Sequence, residues 1–255
     1  MKRLMAALQL TMAIVLLAPL SMAAADSPQG SVLQPVAHPF GATYGEWSAR
    51  WWQWAFDTPL DARSQFLAVD APNALQPAAP SPVDCTSGQG GRVWFLAGTF
   101  LSAGTAHRSC TVPKGKALFF PVFNAWQDNL NFPGEPPFTL DKARLRAATK
   151  GHVDGVTAMT ATVDGRSIAD VTGPQSHYRA TSPFFSYTLP AESLISFGFG
   201  VVFPAGTRPP PPGAVSDGVW LMLAPLSEGQ HVLHWTASTV ADGNLDITYT
   251  IRVKG

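Results

Sequence analysis

Charge is scarce in this chain. Asp, Glu, Lys and Arg make up 13% of the 255 residues, and 17 basic side chains balance 17 acidic ones. There is no basic field for nucleic acid and no acidic tail. Glutamate is limited to Glu46, Glu135, Glu192 and Glu228, which leaves few partners for chemistry that needs paired carboxylates. No HExxH or CxxC occurs, and no Gly-x-Ser-x-Gly elbow. Gly88-Gln-Gly-Gly91 lacks the lysine of a phosphate loop. The usual signatures of zinc, serine-hydrolase and nucleotide chemistry are therefore missing, and no cofactor or metal is expected. Past the first residues there is no long apolar run, so no stable membrane anchor is expected.

What is present begins at the N-terminus. Lys2 and Arg3 precede an apolar run through Ala13-Ile-Val-Leu-Leu-Ala18, followed by the small residues Ser21-Met-Ala-Ala-Ala25. This order reads as a secretory signal peptide, residues 1–25, with cleavage near Ala25. The mature chain, residues 26–255, is expected to be one β-rich globular domain in the periplasm or outside the cell. Losing Lys2 and Arg3 leaves it slightly acidic. In an oxidising compartment the two cysteines, Cys85 and Cys110, have one intramolecular pairing open to them. That bond would stabilise by about 3–4 kcal/mol on the loop-entropy model.

Glycine and proline are abundant, 22 and 23 residues, and with the low charge they favour a turn-rich β protein. Residues 26–42 read as an irregular arm. Thr43 opens a helix over about residues 44–57, with Glu46 completing a capping box and Pro59 closing it. Residues 71–91 are a loop. Arg92–Phe100 reads as a buried strand, Ser109–Val112 and Ala117–Phe123 as strands around a turn, with Pro121 marking an edge or a bulge.

Asn124–Pro137 reads as a polar loop. A second helix is expected over about residues 140–150, capped by Thr139 and stopped at Gly151. Asp164-Gly165 turns a hairpin. Tyr178–Leu189 reads as a strand and 190–213 as a Gly/Pro loop. Val219–Leu223, Gln230–Trp235 and Leu245–Val253 read as a three-stranded antiparallel meander, the last alternating apolar and polar over five pairs. The fold class is mainly β, an antiparallel β-sandwich or jelly-roll-like domain with two short helices.

The helix over 44–57 holds four of the eight tryptophans. Tyr44, Trp47, Trp51 and Trp54 form one stripe, and Trp52 lies off it. Arg50, Trp51, Trp52 and Trp54 are the candidate ligand-binding residues, because tryptophan offers a flat face and an N–H. Arg50 is placed to stack on Trp54. An amphipathic helix normally buries its apolar face, so the core is the expected place for the stripe, and Trp52 is the residue to watch. The candidate catalytic residues are Glu46, Asp128 and His177, with Asp57 a further carboxylate; glycosidase chemistry would need two carboxyls about 5–10 Å apart. Among the histidines, His231 and His234 sit three apart on a strand and face opposite sides. Asp128-Asn-Leu-Asn131 has oxygen donors but lacks a full calcium-loop pattern.

Tyr44-Gly-Glu-Trp-Ser-Ala-Arg-Trp-Trp-Gln-Trp54, Val93-Trp-Phe-Leu-Ala-Gly98, Cys110-Thr-Val-Pro-Lys-Gly-Lys-Ala-Leu-Phe-Phe-Pro-Val122 and Asp217-Gly-Val-Trp-Leu-Met-Leu-Ala-Pro-Leu226 together resemble a family of small exported bacterial proteins to which no activity is assigned. The similarity covers most of the mature chain. It implies export and a single domain, and it contributes no catalytic residue.

Three functions follow as expectations. The first is a non-catalytic binding or envelope-interaction module for an extracellular ligand, carbohydrate among the choices, with aromatics exposed in a groove. The second is a polysaccharide-active hydrolase or lyase, with Glu46, Asp128 or His177 meeting Arg50 or Arg179 in a cleft. The third is a structural or assembly component with a large apolar surface.

Overall fold

The computed structural model describes residues 30–67, 81–100, 104–241 and 243–255. The leader expected over 1–25 lies outside them. Ten strands and three α-helices occur among the described residues. They are α1 (Tyr44–Asp57), β1 (Ser81–Pro82), β2 (Val93–Phe95), β3 (Gly104–Pro113), β4 (Ala117–Gln127), α2 (Lys142–Asp154), β5 (Val156–Val163), β6 (Arg166–Ser167), β7 (Arg179–Thr181), α3 (Leu194–Phe199), β8 (Val215–Leu223), β9 (Gly229–Thr239) and β10 (Asn244–Lys254). The strands form a six-stranded sheet in the order β1-β3-β10-β9-β5-β6 and a four-stranded sheet in the order β2-β4-β8-β7. Both sheets are mixed, and the protein is mainly β, as the composition implies.

Period-two patterning places β10 correctly. Ile247, Tyr249 and Ile251 are fully buried while their polar neighbours face outward. Every residue of β8 is buried, the apolar run Val219–Leu223 and the polar Ser216 and Asp217 alike, because the strand lies between α1 on one face and α2 and the six-stranded sheet on the other. Phe120 of β4 and Trp235 of β9 meet across the two sheets with ring centres 4.7 Å apart. On the opposite face Tyr44 and Trp51 pack on Phe119 and Trp220 at 5.5 Å each.

The three-stranded C-terminal meander does not form. β9 and β10 pair antiparallel, but β8 pairs with β4 and β7 in the other sheet. β10 instead takes β3 as a parallel neighbour over ten residues. The segment through Pro225 carries the chain from one sheet to the other, and both faces of β8 need covering, which a place in the six-stranded sheet would not supply. Four further readings are corrected. Of Arg92–Phe100 only Val93–Phe95 is strand, and of Tyr178–Leu189 only Arg179–Thr181; Pro183 removes a ladder donor just beyond the latter. The Gly/Pro loop contains α3, capped by the Ser193 hydroxyl accepting from Ser196 N at 3.0 Å. The second helix has Asp141 as its N-cap and runs through Gly151 to Asp154, with Gly155 as its C-cap.

Cys85 and Cys110 are joined. The bond fastens the segment after β1 to the middle of β3. Pro121 marks a bulge in β4, where the register to β8 shifts between Pro121 and Phe123. The Asp164-Gly165 turn has both residues at positive φ, 50° and 75°, which a two-residue hairpin demands.

Close approach of α1 to the sheet depends on Gly45. A Cβ there would collide with the Thr181 backbone carbonyl of β7. Alanine is worth up to about 1 kcal/mol over glycine in an open helix, yet Gly45→Ala is expected to destabilise by about 1–3 kcal/mol through overpacking. Urea midpoints of the two proteins check this, and an unchanged or higher midpoint would mean that α1 moves off β7 without cost.

Candidate ligand site

α1 starts with a reciprocal cap. The Thr43 hydroxyl accepts from Glu46 N at 3.1 Å, and the Glu46 carboxylate accepts from Thr43 N at 2.8 Å. The bond from Thr43 N, and a second from the Thr43 hydroxyl at 2.9 Å, hold the Glu46 carboxyl below its usual range. Glu46 is exposed and committed to the cap.

The tryptophans of α1 do not form an open platform. Trp47, Trp51, Trp52 and Trp54 are 9%, 2%, 3% and 8% exposed. Three of them have found backbone acceptors: Trp47 donates to Pro39 O at 2.9 Å, Trp51 to Leu96 O at 2.9 Å and Trp54 to Ser87 O at 3.0 Å. They serve as core packing that also pins three loops. Arg50 stacks on Trp47, 4.4 Å from its ring centre, and not on Trp54, because helical side chains lean toward the N-terminus.

Trp52 differs. Its indole N–H has no partner, and its ring lines a cavity of 610 Å³. The cavity lies along the last residues of β4, Phe123–Gln127, between α3, the end of α2 and the start of β10. Its aromatic wall is continuous. Trp126 lies 4.9 Å from Trp52, stacks on Phe100 at 5.3 Å and meets Phe199 edge-on at 6.4 Å. Phe132 closes on Phe199 at 4.8 Å. Phe138 and Phe199 stand at the rim, 50% and 43% exposed.

The fold sets these rings from beneath. The fully buried Arg108 of β3 donates to Ala97 O at 2.7 Å and Gly98 O at 3.1 Å. That anchors the chain just before Thr99 and Phe100. Asn129 clamps the loop after β4 on both sides, donating to Leu140 O at 3.0 Å and accepting from Leu140 N at 2.8 Å.

Polar groups in the wall are few. Asp128 is buried, and it accepts from Tyr187 Oη at 2.6 Å, Trp126 Nε1 at 3.1 Å and Leu130 N at 2.8 Å. Burial, reinforced by the Asp128 charge, pushes the Tyr187 phenol far above its ordinary range, so Tyr187 stays a neutral donor. The Asn124 amide nitrogen, like the Trp52 N–H, is buried without a partner. Among the described residues the wall contains no lysine or arginine. An anionic ligand would meet the Asp128 carboxylate with no lysine or arginine to balance it, so the site favours a neutral, largely apolar group.

The three candidate catalytic residues are not gathered into one cleft. Of Glu46, Asp128 and His177, only Asp128 lines the cavity. His177 is exposed, 3.2 Å from Gln34 Oε1 and stacked on Tyr178. Asp57 accepts from Thr188 N. Arg179 is held by Asp217 and Asp154. Among the described residues no three His, Cys, Asp or Glu side chains converge as a metal site.

Sequence reasoning singled out Trp52 but missed Asn124, Trp126, Phe100 and Phe199. Asn124–Gln127 was expected in a loop because of its polar residues; it is the end of β4, with Asn124 opposite Gly218 and Trp126 opposite Ser216. The available signal was the alternation of Asn124, Trp126 and Asp128 directly after an apolar strand.

No family model, curated protein or solved structure matches the chain.

Proposed function

We propose that this chain is an exported, non-catalytic binding module of the cell envelope, and that its ligand occupies the aromatic cavity beside β4. The observation that carries the reading is a 610 Å³ cavity walled by the aromatic rings of Trp52, Phe100, Trp126 and Phe199, with Phe138 and Phe199 half-exposed at its rim. Export is supported by the leader-like N-terminus and the disulfide. Among the described residues no helix is long and apolar enough to cross a membrane. The dispersal of Glu46, Asp128 and His177 favours binding over hydrolysis.

The probe for this reading is N-phenyl-1-naphthylamine, a neutral aromatic dye. Its emission is expected to rise on binding to the mature protein, with a micromolar-range affinity. Ala125 lines the cavity without packing in the core. Ala125→Phe fills the space and is expected to weaken dye binding about tenfold or more, with the thermal midpoint nearly unchanged. Dye that binds both proteins equally would remove the cavity from consideration. Binding of a neutral oligosaccharide on a glycan array, lost in the same variant, would assign the site to sugar.

A further inference from the structure

The wall of the cavity is also the edge of a sheet. Ser182 N donates to Ser216 O at 2.9 Å, and Trp220 N donates to Tyr178 O at 3.1 Å. The even-numbered residues of β8 therefore turn their backbone groups toward β7. Its odd-numbered residues bond β4, where their partners are Phe123, Ala125 and Gln127. Alternation along a strand then points the N–H and C=O of Asn124 and Trp126 the other way, off the sheet. β2 covers that side of β4 only from Ala117 to Phe119. Among the described residues none takes the backbone groups of Asn124 or Trp126 there.

An exposed edge of this kind is a template for another strand. Natural proteins blunt such edges with lysine, proline or a covering segment. Here Asn124, Ala125, Trp126 and Gln127 all line the cavity, so the open edge faces an apolar chamber. Two N–H and two C=O groups recur there at the two-residue repeat of a strand, about 6.8 Å. A sugar or a small aromatic molecule has no matching repeat, and an extended backbone has.

We propose that the cavity receives an extended, uncharged peptide segment. It adds to β4 at Asn124 and Trp126 and places an apolar or aromatic side chain among Trp52, Phe100 and Phe199. This rests on the reading of the cavity as a ligand site. Main-chain bonds supply the pairing, and the aromatic chamber selects the side chain. Asp128 disfavours acidic residues in the segment.

The test selects peptides from a displayed library of random heptamers on the mature protein, with the naphthylamine dye as competitor. One enriched peptide is then synthesised with an N-methyl group at each position in turn. Methylation at alternate residues is expected to weaken binding about tenfold or more, with the intervening positions indifferent. Asn124→Pro removes an N–H that β8 does not use, so the edge tolerates it. That variant is expected to weaken peptide binding about tenfold or more, while Asn124→Ala, which keeps the backbone N–H, weakens it less. If the wild-type protein binds dye but enriches no peptide, or if N-methylation is without pattern, the peptide proposal is wrong and the cavity remains a small-molecule site. If neither dye nor peptide binds, both readings fall together.

Discussion

Trp220→Ala is expected to cost about 3–5 kcal/mol of folding stability, the range for removing a large buried aromatic. Trp220 sits at the centre of β8 and is fully buried. It lies parallel to Phe119, ring centres 5.2 Å apart, and receives Trp51 of α1 edge-on at 5.5 Å. Its indole N–H has no partner, so no hydrogen bond is lost with the ring. The whole cost is packing: lost burial, lost ring contacts and an unfilled hole. Strand β8 is paired on both sides and α1 is tied to three loops through its tryptophans, so the site has little freedom to collapse. Chemical denaturation should show the loss as a lower midpoint with an unchanged slope. Trp220→Phe, which keeps a ring against Phe119, should recover a large part of it. A loss below about 1.5 kcal/mol for the alanine variant would show that α1 settles into the hole, contrary to the rigid docking described here.

The second large effect concerns charge. Asp217 is 2% exposed, and Arg179 meets it through Nη2 at 2.5 Å and Nε at 3.1 Å. Arg179 also donates to Asp154 at 2.7 Å and to Pro174 O at 3.0 Å. The arginine is thereby shared between β8, the end of α2 and the loop before β7. Arg179→Met keeps much of the volume but strips the buried carboxylate of its cation. The expected cost is about 3–5 kcal/mol, the cost of an uncompensated buried charge. Arg179→Met combined with Asp217→Leu removes both charges and should be substantially more stable than the single variant. A double-mutant cycle by urea unfolding measures this. If the double variant is no better than Arg179→Met alone, the deficit comes from lost packing between α2 and β7, and the ion pair is incidental.

Legibility in the sequence followed the range of the forces involved. The capping box at Thr43 and Glu46, the Asp164-Gly165 turn and the alternation of β10 are local. Each depends on residues within a few positions, and each was readable. The Cys85–Cys110 bond was readable because only one pairing exists. Strand partnership was not. β3 beside β10, and β8 beside β4 and β7, are contacts over long separations, and alternation along one strand says nothing about its neighbour. The jump of the chain between sheets after Leu223 has no local marker except Pro225.

The candidate site divides the same way. Trp52 stood out because it breaks the helical stripe of Tyr44, Trp47, Trp51 and Trp54. Its meaning came only from Trp126, Phe100 and Phe199, which arrive from a strand, a loop and a third helix. The sequence by itself determined a β-rich body with one disulfide, and a tryptophan helix that had to be buried, because hydrophobic burial and short-range caps act on composition and spacing. Tertiary structure alone decided that three of those tryptophans serve the core while the fourth borders a cavity. It also decided that the edge of β4 away from β8, at Asn124 and Trp126, has no partner strand among the described residues beside that cavity. Both depend on which strands happen to be neighbours, a choice made by the packing of the whole chain and written in no single segment of it.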